Sequence, residues 1–411
     1  MLLKYICKII KNWGGEKVNF NDDFNMLSSG ITYFDNCATT LKPRCVIDAV
    51  SDYYMNYSAN ASRGDYDISF KVDKKINDAR KKVASFINAS NDKEIIFTSG
   101  ATESLNMIIK GFFSNYLKPN DEILTTKAEH ASLILPWFEV ARKTNAVVKY
   151  VDLENDLSLT LDNLKKGVTK NTKVISLAHI TNVIGDVRPI KDIIRYAHEN
   201  GILVVIDGAQ SVPHQKIDVT NLDVDFLAFS AHKMLGPTGL GVLYGKEKYL
   251  NMMEPIITGG GMNAFFDSFM NTQYKDIPDK FEAGTLNISG IIGFSKAIDY
   301  LNNLGMENVH KYEVDLKKYM ISEMLKLNNV IIYNKNTPNG IITFNVKGIN
   351  AKDVASYLNE KNICVRVGSH CAKMLSEVLG VNNTCRASLY FYNTKEDVDK
   401  FVTALDNISY M

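Results

Sequence analysis

The chain has 411 residues, 45% of them hydrophobic and 23% charged, and its formal net charge is +1. A chain of this length buries a large core and usually forms two domains. Its near-zero charge gives no electrostatic reason to bind nucleic acid or an anionic membrane surface, and it has no apolar run long enough to span a bilayer. Because the first ten residues also lack a signal-peptide cleavage site, we expect a cytoplasmic protein with neither nucleic-acid nor membrane partners.

The cysteines are too few and too scattered for a disulfide scaffold in a chain of this length. None belongs to a CxxC pair or stands with histidine at the spacing of a zinc site. We therefore expect reduced thiols and no metal site. The six are Cys7, Cys37, Cys45, Cys364, Cys371 and Cys385.

The first ninety residues predict one short strand and two helices. Residues 33–40 form a short strand that runs into a turn, and Pro43 suits the first turn of the helix that follows. Apolar residues at helical spacing between 72 and 87 predict the second helix.

From residue 94 onward, apolar runs alternate with helical stretches. Helices are predicted near 103–116, 133–144 and 189–200, and strands at 94–98, 122–126, 147–153, 173–178, 202–207 and 226–229. Nearly continuous apolar strands that alternate with helices indicate a mostly parallel sheet covered on both faces. The predicted fold class is therefore α/β.

The last hundred residues predict a smaller α+β arrangement. A helix at 291–304 leads out of the large domain, and the remainder, roughly 305–411, has strands at 340–346, 363–367 and 386–391 and helices at 351–361 and 395–405. We therefore predict a large α/β domain over 30–299 and a small α+β domain over 300–411, which also takes up the N-terminal segment 1–29.

The most informative stretch is 230–236, which carries Lys233 directly after the predicted strand at 226–229. The strand at 202–207 ends in Asp207, so the carboxyl ends of two neighbouring strands present a lysine and an aspartate together. Pyridoxal 5′-phosphate (PLP) needs both, a lysine amine for its Schiff base and a carboxylate that keeps its ring nitrogen protonated. This pair predicts PLP and the chemistry of amino acids.

A phosphate site is predicted at the same edge of the sheet. Ala101 and Thr102 open the helix that follows the strand at 94–98, where free backbone amides and a hydroxyl suit an anion. Ser230 and His232, beside Lys233, supply two further donors.

Two more polar residues follow strands at this edge. His130 comes after the strand and turn at 122–129, a position that suits ring stacking and proton transfer. Asn182 lies in the loop after the strand at 173–178, where an ordinary turn asparagine is the alternative interpretation.

Together these motifs resemble the class V aminotransferase family, which belongs to fold type I of the PLP enzymes. Within it, the chain is most similar to the cysteine desulfurases of the SufS/CsdA type. The resemblance implies a large domain with a mostly parallel, seven-stranded-type sheet. It extends through nearly the whole chain after residue 30, over the segments 33–36, 63–64, 99–103, 129–130, 182–183, 207–210, 229–239, 259–261, 281–285, 365–366, 370–372 and 385–388.

The resemblance implies a role for each site residue. The residues toward the cofactor are Lys233 as the Schiff-base lysine, Asp207 at the ring nitrogen, Gln210 as a donor to the ring hydroxyl, His130 stacked on the ring, Asn182 beside the cofactor, and Ala101, Thr102, Ser230 and His232 at the phosphate, with Thr285 from the partner subunit of a homodimer. Those toward L-cysteine are Arg386 as a bidentate clamp on the carboxylate, with Asn182 and Arg366 beside it, and Cys371 as the nucleophile.

Cys371 decides the subtype within this family. Its loop, 368–373, contains glycine and small residues, with Arg366 and Lys373 close enough in sequence to stabilise a thiolate. Such a thiolate attacks the sulfur of PLP-bound cysteine, keeps it as a persulfide and releases alanine. A buried structural role suits Cys364 and Cys385, in predicted apolar strands, better than it suits Cys371.

The loop is compact, as in the group II enzymes, so a separate sulfur-acceptor protein is expected to take the sulfur for iron–sulfur cluster or thiocofactor assembly. Four positions depart from the family pattern. Ser62 and Ser369 stand where histidine is common, Leu286 where proline is usual, and Cys37 where small residues without a thiol are usual, in the turn 35–38 that the resemblance implies near the active site.

Three alternatives remain open from the sequence. A selenocysteine lyase uses the same fold and site and needs Cys371 less, and an aminotransferase or eliminating lyase does not use Cys371 at all. A degenerate fold that serves as an assembly scaffold would be expected to have lost Lys233, Asp207 or Arg386, all of which are present.

Overall fold

The computed structural model describes residues 20–61 and 64–408. Cys7, Ser62 and Arg63, which the sequence analysis named or included in a motif, lie outside these residues. No helix in the described part is both long enough and apolar enough to cross a membrane.

Short strands run through the whole described chain. In chain order they are β1 Thr32–Tyr33, β2 Ile95–Thr98, β3 Glu122–Thr126, β4 Val147–Val151, β5 Thr172–Ala178, β6 Leu203–Asp207, β7 Phe226–Ser230, β8 Gly241–Gly245, β9 Asn263–Phe266, β10 Thr272–Tyr274, β11 Val330–Ile332, β12 Ile341–Val346, β13 Ile363–Cys364, β14 Arg366–Gly368 and β15 Thr384–Ser388.

Helices make up much of the rest. In chain order they are α1 Arg44–Asn56, α2 Asp67–Phe86, α3 Ala101–Asn106, α4 Ser114–Tyr116, α5 Ala131–Thr144, α6 Leu161–Gly167, α7 Ile190–Glu199, α8 Val219–Leu222, α9 Glu247–Met252, α10 Ile288–Leu304, α11 Met306–Met324, α12 Ala351–Glu360, α13 Leu375–Leu379 and α14 Lys395–Asn407. A π-helix, Met107–Phe113, joins α3 to α4, and 3₁₀ turns lie at Asn25–Ser29, Asp92–Glu94, Ala231–Lys233 and Asp279–Phe281.

Seven strands form the large sheet, in the order β2-β8-β7-β6-β5-β3-β4. Strands β4, β3, β5, β6 and β7 run parallel, and β8 pairs antiparallel with both β7 and β2. Every residue of β6 is buried, and α7 packs against it through an apolar stripe that includes Ile190, Ile193 and Ala197. The predicted α/β fold with a mostly parallel sheet is confirmed.

A second, antiparallel sheet has four strands in the order β11-β12-β15-β14. The prediction of one strand at 363–367 is wrong, because Val365 separates two strands with different partners. Strand β13 pairs with β1, whereas β14 pairs with β15 in the small sheet. Helix α11 and the β9–β10 hairpin are absent from the sequence-based prediction.

Candidate active site

A cavity of about 220 Å³ opens at the carboxyl ends of β5, β6 and β7. Ala178, Asp207 and Ser230, the last residues of these strands, line it together with residues of the small sheet. All but one of the predicted site residues line this cavity: Ala101, Thr102, His130, Asn182, Asp207, Gln210, Ser230, His232, Lys233, Arg366, Cys371 and Arg386.

Lys233 and Asp207 face this cavity from neighbouring strand ends. Desolvation lowers the pKa of the Lys233 amine, an effect that Asp207 opposes. Burial raises the pKa of Asp207, and Lys233 opposes that shift in turn. Each charge therefore stabilises the other, and the lowered pKa gives the lysine more of the neutral form that acts as nucleophile or base.

The peptide before Lys233 is held by an unusual number of donors. The His232 carbonyl accepts hydrogen bonds from the amide and hydroxyl of Thr40, at 3.0 and 3.2 Å, from Thr39 Oγ1 at 3.0 Å and from Lys42 Nζ at 2.9 Å. The backbone that carries Lys233 is thereby fixed to the turn that follows β1.

The predicted phosphate site lies at the start of α3. The Ala101 amide donates to Ser230 Oγ at 2.8 Å, and Thr102 Oγ1 lies 2.7 Å from Ser132 Oγ. Gly100 and Gly241 let the two backbones meet here, since a Cβ on Gly241 would lie 2.4 Å from Gly100 Cα. Backbone amides and hydroxyls thus converge at a helix N-terminus on the wall of the cavity, as an anion site requires.

His130 precedes α5 and accepts a hydrogen bond from the Ser132 amide at Nδ1, at 3.1 Å. Desolvation, together with the nearby charges of Lys233, Arg366 and Arg386, lowers the pKa of His130 to about 4. The ring is therefore neutral near pH 7, with its proton on Nε2 because Nδ1 is the acceptor.

Arg386 is almost completely buried between the two sheets. Its Nη1 donates to the Asn182 carbonyl at 2.7 Å, and its Nη2 lies 3.3 Å from Asp35 Oδ1. Among the described residues, neither Arg386 Nε nor Asn182 Oδ1 has a hydrogen-bond partner, although both are buried. Such unsatisfied groups beside a cavity suit a polar ligand.

Cys371 lies at the exposed side of the cavity, beside Arg366. The Arg366 Nη2 atom is 3.5 Å from Cys371 Sγ. His370 and Cys371 both have left-handed backbones, with φ of 50° and 60°, which is uncommon for two successive residues other than glycine. The His370 carbonyl accepts from Asn182 Nδ2 at 2.7 Å, and the Cys371 carbonyl accepts from the Ala131 amide at 2.8 Å.

The loop that carries Asn182 is bound tightly to the small-sheet part of the chain. Four successive carbonyls, those of residues 182 to 185, each accept a hydrogen bond from that part. Their donors are, in order, the side chains of Arg386, Thr343, Asn334 and Asn339.

Thr285 lies outside the cavity. It lines a separate cleft that includes Ser99 and Glu103, and its hydroxyl is 3.5 Å from Asn60 Nδ2. Of the cysteines expected to be buried, Cys385 is fully buried but Cys364 is only half-buried.

Sequence reasoning assigned no role to three residues that contact the site. Asp35 pairs with Arg386, and Ser132 and Cys37 line the cavity. The resemblance implies only that the turn with Asp35 and Cys37 lies near the site, and Ser132 is signalled by its position two residues after His130.

A large, mostly parallel seven-stranded sheet with a lysine and an aspartate at its strand ends is the arrangement of PLP fold type I. A family model described as aminotransferase class-V matches residues 32–401. The chain therefore belongs to the class V aminotransferase family.

Similar proteins carry a more specific name. The probable cysteine desulfurase of Halalkalibacterium halodurans is 41% identical over 93% of this chain and 94% of its own length. The cysteine desulfurase of Haloferax volcanii is 39% identical over 92% of this chain and 89% of its own length.

Two solved structures are also similar. The cysteine desulfurase CsdA of Escherichia coli, in an S-sulfonic acid form, has a TM-score of 0.90 and 34% identity, over 96% of this chain and 99% of its own. The apo cysteine desulfurase of Thermococcus onnurineus NA1 has a TM-score of 0.91 and 35% identity, over 94% of this chain and 96% of its own.

Proposed function

We propose that the chain is a PLP-dependent L-cysteine desulfurase, which transfers the sulfur of L-cysteine to Cys371 as a persulfide and releases L-alanine. The observation that carries this proposal is the Cys371 thiol beside Arg366, facing the cavity that contains Lys233, Asp207 and Arg386. The names of relatives about 40% identical over most of the chain support it.

The residues of the cavity fit PLP. Lys233 would hold its aldehyde carbon, Asp207 its ring nitrogen, and the start of α3 with Ser230 and His232 its phosphate. Gln210 donates Nε2 to the Cys37 carbonyl at 2.9 Å, and its Oε1 is buried without a partner among the described residues, which suits a hydroxyl donor on the ring. When bound, PLP supplies an electron sink that labilises bonds at the substrate Cα and Cβ.

The remaining residues bind the substrate and move protons. Arg386 still has its Nε–H and part of its guanidinium fork available for the cysteine carboxylate, with Asn182 beside it. The Lys233 amine, in its neutral form, takes and returns a proton at Cα, and the neutral His130 ring presents its Nε2–H as a donor in the same cavity. Arg366 orients the thiol of Cys371 and balances negative charge on the attacking sulfur.

We further propose a cytoplasmic homodimer that delivers its sulfur to an acceptor protein. In a homodimer, a partner subunit would bring Thr285 to the phosphate, which agrees with its position outside the cavity of its own chain. The exposed aromatic residues Phe265, Phe266 and Phe269 of the β9–β10 hairpin offer apolar surface for such an interface. Five free cysteines in the described residues suit a reducing compartment.

The domain boundaries are also a proposal, with residues 30–299 around the large sheet and 300–411 around the small one. The core cluster beneath the small sheet is separate from the cluster on one face of the large sheet, whereas the cluster on the other face extends across the boundary to residues 301–309 and 390–392. Phe20 packs against Phe391 and Phe24 against Tyr300, so these two described residues of the segment 1–29 contact residues near the end of the chain and near the proposed boundary.

The decisive experiment compares the wild-type protein with Cys371→Ser. The serine variant should still bind PLP and L-cysteine, because neither step needs the thiol, but alanine formation should fall by orders of magnitude and no persulfide should form. Matched reactions are assayed for alanine, sulfide and protein-bound persulfide. Alanine formation from cysteine at the wild-type rate would contradict the nucleophile assignment and favour an eliminating lyase. L-selenocysteine as a second substrate tests the lyase alternative.

A further inference from the structure

A second thiol, that of Cys37, lines the same cavity as Cys371. Cys37 lies on the turn after β1 and is 2% exposed. Its amide donates to Ser388 Oγ at 2.9 Å and its carbonyl accepts from Gln210 Nε2 at 2.9 Å, so hydrogen bonds fix its backbone on both sides. Burial raises the pKa of Cys37, while Arg386 and Lys233 oppose this shift, which indicates that both cations lie near the thiol.

Cys37 and Cys371 both lie near one pair of arginines. Arg366 and Arg386 face each other across β14 and β15, and Arg366 Nη2 lies 3.5 Å from Cys371 Sγ. Arg386 Nη2 lies 3.3 Å from Asp35, two residues before Cys37, and the Arg386 charge acts on the Cys37 thiol. Both thiols therefore lie near the group that is proposed to hold the substrate carboxylate.

The reaction requires Cys371 to move into the cavity that Cys37 lines. To attack the substrate sulfur, Cys371 must approach it to within roughly 3–3.5 Å, inside the cavity that Cys37 lines. Once alanine leaves, the persulfide on Cys371 faces the vacated space, with Cys37 on its wall. An attack by Cys37 within this cavity needs no access from bulk solvent.

We propose that, when no acceptor takes the sulfur, Cys37 attacks Sγ of the Cys371 persulfide and forms a Cys37–Cys371 disulfide with release of hydrogen sulfide. This inference rests on the proposed desulfurase function. The bond between Cys371 Sγ and the outer sulfur breaks, and the outer sulfur leaves with that electron pair and the proton of the Cys37 thiol. The outer sulfur is reduced to sulfide and the Cys37 sulfur is oxidised, so the persulfide itself is the oxidant and no other is needed.

The disulfide would arrest the enzyme, because Cys371 is then unavailable for a second turnover. A thiol reductant would restore it. An acceptor protein would prevent the arrest by removing the outer sulfur before Cys37 attacks. Cys37 would thus make continued turnover depend on the presence of an acceptor.

The test uses the PLP-loaded protein in anaerobic buffer without thiols, given one equivalent of L-cysteine per subunit and then quenched with an alkylating agent. Non-reducing peptide mass spectrometry should find a Cys37–Cys371 linked peptide in the wild type, with sulfide released in proportion to the alanine formed. In Cys37→Ala and Cys37→Ser, the persulfide on Cys371 should persist and sulfide release per alanine should be largely lost. Cys364→Ala, which removes a half-buried thiol outside the cavity, is the matched control and should form the linked peptide.

The outcomes separate the two proposals. Absence of alanine and of any Cys371 persulfide in the wild type would overturn the proposed function and this inference with it. Alanine together with a long-lived Cys371 persulfide, equal in the wild type and both Cys37 variants, would overturn the inference alone. A persulfide found on Cys37 in place of the linked peptide would also overturn it, since Cys37 would then have attacked the outer sulfur.

Discussion

Replacing Arg386 by alanine tests how the site holds its substrate. The guanidinium is buried, with Nη1 on the Asn182 carbonyl and Nη2 on Asp35, and its Nε–H has no partner among the described residues. A substrate carboxylate here gains charged hydrogen bonds, and their loss should cost roughly 2–4 kcal/mol, which corresponds to about a 30- to 700-fold weaker interaction with L-cysteine.

The assay is steady-state alanine formation over a range of L-cysteine concentrations, at saturating PLP and reductant. We expect the loss to be mainly in KM. Arg386→Lys is the matched variant, because it keeps the positive charge but not the planar fork, and it should recover part of the loss. Cofactor content and thermal unfolding of each variant check that the fold survives the loss of the contact with Asp35. An unchanged KM with a reduced kcat would refute the carboxylate assignment.

Three further predictions follow from the same structure. Lys233→Ala should abolish turnover and covalent attachment of PLP, and peptide mapping of borohydride-reduced wild-type protein should find the cofactor on Lys233; attachment to another lysine would contradict the site. A sulfur-acceptor protein from the same genome should raise the turnover rate severalfold by thiol–persulfide exchange, and its cysteine-to-serine variant should not. Lys317 is 2% exposed, with its amine 2.5 Å from Thr337 Oγ1, and burial lowers its pKa to about 7, an effect that Cys37 opposes. Between pH 7 and its ordinary pKa of 10.5, the Lys317 amine is protonated in the unfolded chain but not in the folded protein, so the free energy of unfolding should rise with pH. Urea unfolding of the wild type and of Lys317→Met from pH 7 to 9 measures this rise, which should be smaller in the variant.

The sequence predicts most of the site because the site is built on strand ends. Asp207 and Ser230 are the last residues of two buried strands. The run of apolar residues before each of them therefore indicates both the strand and the polar residue at its end. Parallel strands bring these ends to one edge of a sheet, which is why residues separated by long stretches of chain could be grouped in advance. Residue roles beyond this grouping came from the family resemblance.

Contacts between distant segments could not be predicted in this way. The pairing of Asp35 with Arg386 joins residues 351 positions apart, and only the packing of the small sheet brings them together. The position of Cys37 in the cavity depends on the same packing, because its amide is held by Ser388.

Two missed elements have physical reasons. Helix α11 buries Glu313 and Lys317 on its inner face, so its hydrophobic pattern is interrupted where the core begins. Glu313 is compensated by His214, at 2.9 Å, a partner that the sequence does not reveal. Strands β9 and β10 are mostly exposed, so they lack the alternation of apolar and polar residues that marks a half-buried strand.

The four hydrogen bonds from Arg386, Thr343, Asn334 and Asn339 to residues 182–185 have a consequence for protein engineering. A chimera that takes its small-sheet part from a relative must supply equivalent hydrogen-bond donors at these four positions. Without them, the carbonyls of the loop that carries Asn182 lose the hydrogen bonds that hold the loop in place. A chimera that keeps the surface residues of the relative but has Arg386, Thr343, Asn334 and Asn339 of this chain restored should therefore keep its two parts assembled.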